Sequence, residues 1–285
     1  MKKKMNEIEQ MRHLARDAYI FFYPLIETVR VKTIQLSVFC PINKFHHRKR
    51  LSNAKDREVV APNNDTLYSS AFLDLKEEPL VLSVPDTEGR YYLMPFMDAW
   101  ITNFHNIGFC KTGTEAGNYV IKGPDWKGDI PKNLPCIDSP TNLVWIIGRT
   151  LVNGEEDMPA AIEIMEQYVL TPLSEFLQGK IDDNDLTGFA KSKIDDFDYS
   201  KSPMAYWEKV GDLIVDNRLL ESDKDYFSKF EKLGITEIGF DPSVLSKEYK
   251  EALKQAVIEA PQYLGRLRFK YRSINNWQVS KHPIT

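Results

Sequence analysis

The sequence predicts an α+β protein: an antiparallel, jelly-roll-like β-sandwich with an N-terminal helix before it and a helical C-terminal extension after it. Three observations carry this expectation. Apolar residues step by three and four near the start, apolar segments alternate with Gly, Pro and Asp punctuation from Val59 to Asn153, and a helical period returns after Asn153-Gly154. The implied segments are 1–56 (helix and basic loop), 57–153 (sandwich) and 154–285 (helical extension).

The first element follows from Ile8, Met11, Ala15, Ala18, Phe22 and Leu25, which fall on one helical face. Pro24 lacks an amide donor and crowds the carbonyl four residues back, so the helix is expected to kink or end there. Residues 29–39 are rich in β-branched side chains and fit helix or strand. Asn43-Lys44-Phe45-His46-His47-Arg48-Lys49-Arg50 holds four cations without periodicity and reads as an exposed loop, either a solvated run or a basic patch for phosphate.

Eight strands are expected near 57–60, 66–75, 79–84, 90–98, 100–110, 118–122, 135–138 and 142–152. Turn signals separate them, among them Asp86-Thr87-Glu88-Gly89 and Thr112-Gly113-Thr114. No βαβ spacing is present, so parallel pairing is disfavoured. Beyond Gly154, Met158, Ile162, Met165, Val169, Leu173 and Phe176 predict one helix bent at Pro172. Ser202-Pro203 and Asp241-Pro242 open two more helices. Ser222-Asp223-Lys224-Asp225 reads as a capping box and Gly234 as a stop. Residues 182–199 read as a linker, and 264–274 fit helix or strand.

Composition narrows the function classes. The chain has 285 residues, 37 basic and 41 acidic, for a formal net charge of −4, so neither nucleic acid nor an anionic membrane is an expected partner. Cys40, Cys110 and Cys136 are an odd, scattered set, which disfavours a disulfide framework. A charged helix pattern stands where a secretory leader would need an apolar core, and no run of eighteen apolar residues occurs; a cytoplasmic location is expected.

Ala61-Pro62-Asn63-Asn64-Asp65-Thr66-Leu67-Tyr68-Ser69, Ser83-Val84-Pro85-Asp86-Thr87-Glu88-Gly89-Arg90-Tyr91-Tyr92, Gly113-Thr114 and Ile146-Ile147-Gly148-Arg149-Thr150 occur in an order that resembles the domain-of-unknown-function family 1254. The likeness is densest from Pro62 to Val152. It implies a jelly-roll sandwich and no established catalytic residues. It also implies a companion sandwich of family 1214, whose entrance Asn275-Asn276-Trp277-Gln278 resembles and which is expected to be missing after Trp277 or supplied by another polypeptide. Two departures matter. Cys110-Lys111 stand where the family shows arginine and threonine, so an anion-binding role for that arginine does not carry over. The Thr102-Asn103 pair stands one place late, which in a strand turns it to the other face.

Candidate ligand-binding residues are Asn64, Asp65, Tyr68, Tyr92, Asp98, Trp100, Thr102 and Arg149. Tyr92, Met94, Phe96, Asp98, Trp100 and Thr102 alternate onto one face of an extended strand, mixing rings with a carboxylate and a hydroxyl. Taken singly, Asn64 and Asp65 are more readily turn-capping residues than ligand contacts, and Trp100 and Trp145 more readily core fillers. Asp98 must find a partner, Arg90 or Arg149, or serve a site. His46 and His47 are adjacent and His105 is remote, so no metal and no cofactor are expected.

The expected function is a noncatalytic binding or assembly module with a polar-aromatic pocket for a carbohydrate-like or small polar ligand. One alternative is a hydrolase- or lyase-type enzyme using a pocket Asp, Asp65 or Asp98, as acid or base. Another is a subunit of a homo-oligomer or of a complex with a companion-domain polypeptide, because Leu264, Leu267, Phe269 and Tyr271 would otherwise be exposed.

Overall fold

The computed structural model describes residues 2–57, 62–194, 196–267, 272–274 and 277–279. It is a mixed α+β structure whose chain forms two compact units, residues 27–195 and residues 1–26 with 196–285. A long helix, α1 (Lys2–Val38), starts in the second and runs into the first.

α1 continues through Pro24 instead of ending there. The proline removes one hydrogen bond, but Phe22, Leu25, Ile26 and Val29 on either side of it are buried. Burial of an apolar face stabilises a helix far more than one backbone bond. The ambiguous residues from 29 to 38 are therefore helical.

Unit 27–195 contains two sheets. The first has the order β1 (His46–Arg48), β2 (Thr66–Asp74), β8 (Leu143–Leu151), β4 (Tyr92–Met97), β5 (Asn103–Gly108), every neighbour antiparallel. The second has the order β7 (Cys136–Asp138), β6 (Gly117–Lys122), β3 (Leu80–Val84), β9 (Val169–Pro172). Seven of the eight expected strands are present, and the eighth, 57–60, lies largely outside the described residues. β6 and β7 pair in parallel, against expectation; the long loop 123–135 lets the chain cross over and return in the same direction.

Alternation by twos builds the core. Leu67, Ala71 and Leu73 of β2, Tyr92, Met94 and Phe96 of β4, and Val144 and Ile146 of β8 meet Leu80, Leu82, Tyr119, Ile121 and Leu170 of the second sheet in one apolar cluster. Each such side chain contributes roughly 1.5–3 kcal/mol on burial. Gly108, at φ 138°, lets β5 approach β4: a Cβ there would stand 2.3 Å from the Tyr92 carbonyl oxygen.

Two expectations in this unit are corrected. The basic run is not an exposed loop, because β1 pairs His46 with Ser70, His47 with Ser69 and Arg48 with Tyr68. Phe45 is buried and His47 bonds the Ser69 hydroxyl at 2.9 Å, while all four cations find carboxylates: Lys44 with Asp182, Lys49 with Glu166, and Arg48 and Arg50 with Asp56. The helix expected from Met158 to Phe176 is α2 (Met158–Glu166), then β9, then a turn of helix, α3 (Leu173–Phe176). β-Branched Val169 and Thr171 pair with β3, and Leu170 is buried, so the period of four through Val169 and Leu173 is coincidental.

In the second unit, α4 (Pro203–Asp216) buries Tyr206, Trp207, Val210, Leu213 and Ile214. Tyr206 stacks on Tyr19 at 4.7 Å, and the Trp207 indole donates to the Leu253 carbonyl at 3.0 Å. α5 (Lys224–Phe227) lacks the expected capping box, since the Ser222 hydroxyl turns to the Asp223 carboxylate. The following 3₁₀ turns stop at Gly234, φ 71°. Asp241 caps a single turn, Pro242–Val244, a few residues before α6 (Lys247–Leu267) begins, joined to α4 by the small hairpin β10 (Ile235–Thr236) and β11 (Gly239–Phe240). β12 (Arg272–Ile274) and β13 (Trp277–Val279) pair antiparallel. The side chains of Leu267, Phe269, Tyr271, Asn275 and Asn276 lie outside the described residues, and Leu264 is half-buried.

Candidate functional site

The eight candidate residues do not converge. Tyr92 faces the core, fully buried, with its ring 6.1 Å from Tyr168, and burial raises its hydroxyl pKa. β4 ends at Met97, so Asp98, Trp100 and Thr102 occupy a turn instead of continuing the strand. Asp98 is buried, and its Oδ1 accepts from the amides of Trp100 at 2.9 Å and Thr102 at 2.8 Å, while Ile101 adopts φ 65°. The shared face expected for Tyr92, Asp98, Trp100 and Thr102 is thus not formed. Asp98 shapes a turn, Trp100 is half-buried and Thr102 is exposed. Arg90, one proposed partner for Asp98, is held instead by Asp157 and by the Leu151 carbonyl.

Asn64 and Asp65 are exposed in the turn before β2, where Asn63 Oδ1 accepts from the Asp65 amide at 2.8 Å. Tyr68 and Arg149 do meet. They are cross-strand partners on the outer face of the five-stranded sheet, with the Arg149 guanidinium 5.6 Å from the Tyr68 ring centre.

That outer face carries the best-formed apolar cavity, about 490 Å³. Its walls come from four places. α1 supplies Val31, Ile34 and Gln35; β1 supplies His46 and Arg48; β2 and β8 supply Tyr68, Ser70 and Trp145; Phe39, Arg50 and Asp56 complete it. Alternation explains the set: with Phe45 and His47 turned inward, His46 and Arg48 must turn outward.

The aromatic side chains are fixed by their neighbours. Trp145 stacks on Phe72 at 5.1 Å, 12° from parallel, and Phe39 lies 4.5 Å from the His46 ring. Trp145 Nε1 donates to Ser70 Oγ at 3.0 Å, and Ser70 Oγ donates to Gln35 Oε1 at 2.6 Å. Gln35 Nε2 donates to the Ser70 carbonyl at 3.1 Å. The Tyr68 hydroxyl accepts from the Asn63 amide at 2.8 Å and keeps its own proton to give.

The charged edge is a three-way cluster. Asp56, its side chain only 7% exposed, receives a two-pronged bond from Arg50 at 2.7 and 2.9 Å, the Asn53 amide at 2.8 Å and Arg48 Nη2. Arg50 above all, with the Asn53 amide and Arg48, holds its carboxyl far below the usual carboxylate range. Burial, aided by Arg48, lowers the His46 pKa, so this imidazole is neutral at pH 7. The lining therefore carries two guanidinium charges against one carboxylate, with Arg149 a third cation over Tyr68.

No cluster of three or more His, Cys, Asp or Glu side chains suited to a metal occurs among the described residues. Sequence reasoning named Tyr68 and Arg149 but missed the rest. The run Phe45-His46-His47-Arg48 alternates apolar and polar in the way a half-buried strand does, and Val31, Ile34 and Gln35 share a helical stripe. Asp56 carries no local signal, because only the fold brings it to the arginines.

No curated protein matches the chain. Among solved structures it is similar to the VPA0106 protein from Vibrio parahaemolyticus, with 25% identity and a TM-score of 0.71 over 92% of this chain and 61% of that one. The chain thus spans about three fifths of that protein's length. With an uncharacterized protein from Burkholderia cenocepacia it shares 10% identity at a TM-score of 0.30, over 53% of this chain and 45% of that one. The family described as "Protein of unknown function (DUF1254)" matches residues 42–172, which include both sheets and, apart from the α1 side, the whole cavity wall. Over residues 42–172 the chain is similar to the DUF1254 family.

Proposed function

We propose that residues 27–195 are a noncatalytic binding module of the jelly-roll kind whose ligand site is the polar-aromatic cavity on the outer face of the five-stranded sheet. The common core of the two sheets supports the sandwich. The observation that carries the binding reading is the cavity itself: a volume of about 490 Å³, within the range of small-molecule sites, with rings held in place by hydrogen bonds behind them. The Ser70 hydroxyl proton is committed to Gln35, and Asp98 is spent on backbone amides, which favours binding over acid-base chemistry. Three free cysteines support a reducing, cytoplasmic setting, and no described helix is long and apolar enough to cross a membrane.

A thermal-shift panel of glycans and small polar and aromatic metabolites tests this reading. A ligand that raises Tm in the natural protein and fails to do so in Trp145→Leu and Tyr68→Leu supports it. A panel with no stabilising member, across proteins shown to be folded, refutes it.

The assembly reading rests on a separate feature. In the second unit Val215, Ile238 and Val244 are 58%, 90% and 67% exposed near the β10–β11 hairpin. Self-association or docking of a companion-domain polypeptide would cover them. Light scattering at micromolar concentration checks it, and a strictly monomeric particle counts against self-association.

A further inference from the structure

The chemistry left available in the cavity is narrower than its lining implies. Gln35, Ser70 and the Trp145 indole nitrogen hydrogen-bond to one another, so they offer few donors to a hydroxyl-rich ligand. What remains is apolar wall and guanidinium. Arg48 spends one nitrogen, Nη2, on Asp56; no other Arg48 hydrogen bond occurs among the described residues, which leaves Nε and Nη1 of a half-buried, solvent-accessible fork open to a ligand. A guanidinium with two adjacent nitrogens open at a cavity edge favours a planar anion that can take two parallel bonds.

Building on the binding reading above, the geometry points to a small aromatic carboxylate as the ligand class, its carboxylate on the free edge of Arg48 and its ring against the wall formed by Trp145, Tyr68 and Phe39. Asp56 is then a positioning residue. It clamps Arg48 and Arg50 and holds their side chains at the cavity edge without touching the ligand. His46 is neutral at pH 7 and so does not compete for the anion, whereas Arg149 beside Tyr68 adds to the field that attracts it. A sugar needs hydroxyl partners that Gln35, Ser70 and Trp145 Nε1 have already spent on one another, and an aliphatic acid would gain no ring stacking from the wall.

Isothermal titration of the full chain with 1-naphthylacetate, its neutral isostere 1-naphthylacetamide, octanoate and glucose tests the inference. The acid is expected to bind at least tenfold more tightly than the amide and than octanoate, with glucose weaker still. Arg48→Met is expected to bring the acid-to-amide ratio close to one while leaving amide affinity within about twofold, since the methionine keeps the apolar stem. Equal affinities for acid and amide in the natural protein, a preference for glucose or octanoate, or a ratio unchanged in Arg48→Met each overturn the aromatic-carboxylate assignment and leave the cavity as a site for another ligand. Failure of all four compounds also overturns it, and the broader thermal-shift panel then decides whether the cavity binds anything. The acid-to-amide ratio of the natural protein is decisive even where the variant does not fold.

Discussion

Lowering the pH from 7 to 4.5 should cost the native state about 2 to 3 kcal/mol through His47 alone. Its imidazole is packed 5.4 Å from the Phe45 ring and bonded to Ser69, and its pKa is lowered to about 4, by burial first and then by His46; Lys49 adds to this, while Glu166 and the Tyr168 backbone oppose it. In the unfolded chain the group titrates near 6.5. Between those values the unfolded state binds the extra proton, so stability is full above about pH 6.5 and falls as pH drops toward 4, at about 1.4 kcal/mol per unit at the steepest. Urea unfolding at several pH values, for the natural protein and for His47→Gln, isolates the effect. His46 and His105 also have lowered pKa values and affect both proteins alike, so the difference between the two pH profiles belongs to His47. Parallel profiles between pH 6.5 and 4.5 would refute the burial argument.

Gly108→Ala should destabilise by about 2–4 kcal/mol, because the new methyl meets the Tyr92 carbonyl at 2.3 Å in a backbone conformation of φ 138°; a denaturant midpoint within error of the natural protein would show that the strands can separate freely. Asp98→Ala should destabilise by about 2–4 kcal/mol by leaving the amides of Trp100 and Thr102 unpaired, whereas Asp98→Asn, which retains an acceptor, should lose clearly less. Equal losses would mean that the charge matters more than the turn. Asp157 is held at a pKa of about 2 by Arg90 and the Asn153 amide, so its contribution is present above the unfolded value near 3.8 and disappears as pH falls toward 2. Asp157→Asn should therefore lower Tm at pH 7 and narrow its gap to the natural protein at pH 2.5, as read by calorimetry.

Much of the fold was legible because the dominant signal, alternation by twos, survives wherever one face of a strand is buried. Leu67, Ala71 and Leu73, and Val144 and Ile146, point inward as their spacing predicts. The failures came where two periods coincide or where long-range burial decides. Val169 and Leu173 fit a helix, yet pairing with β3 makes this stretch a strand, and Pro24 stays helical because its flanks are buried. The candidate site was less legible. Tyr68 and Arg149 were readable as outward-facing polar and aromatic positions. Extrapolating alternation past Met97 put Asp98 and Trp100 on a face that a turn at Ile101 breaks. The Arg48–Asp56–Arg50 cluster depends on a loop closing back upon itself, which no spacing rule encodes.

The edge position of β1 ties two properties to a single frame of pairing. Its odd and even residues serve opposite sides: Phe45 and His47 complete the hydrocarbon interior, and His46 and Arg48 furnish the cavity. Deleting one residue between Cys40 and Phe45 would carry a guanidinium into the interior and an aromatic ring into the cavity together. Indels in that short connection should therefore be far more damaging than substitutions, since no shifted frame preserves both the folded core and the recognition surface.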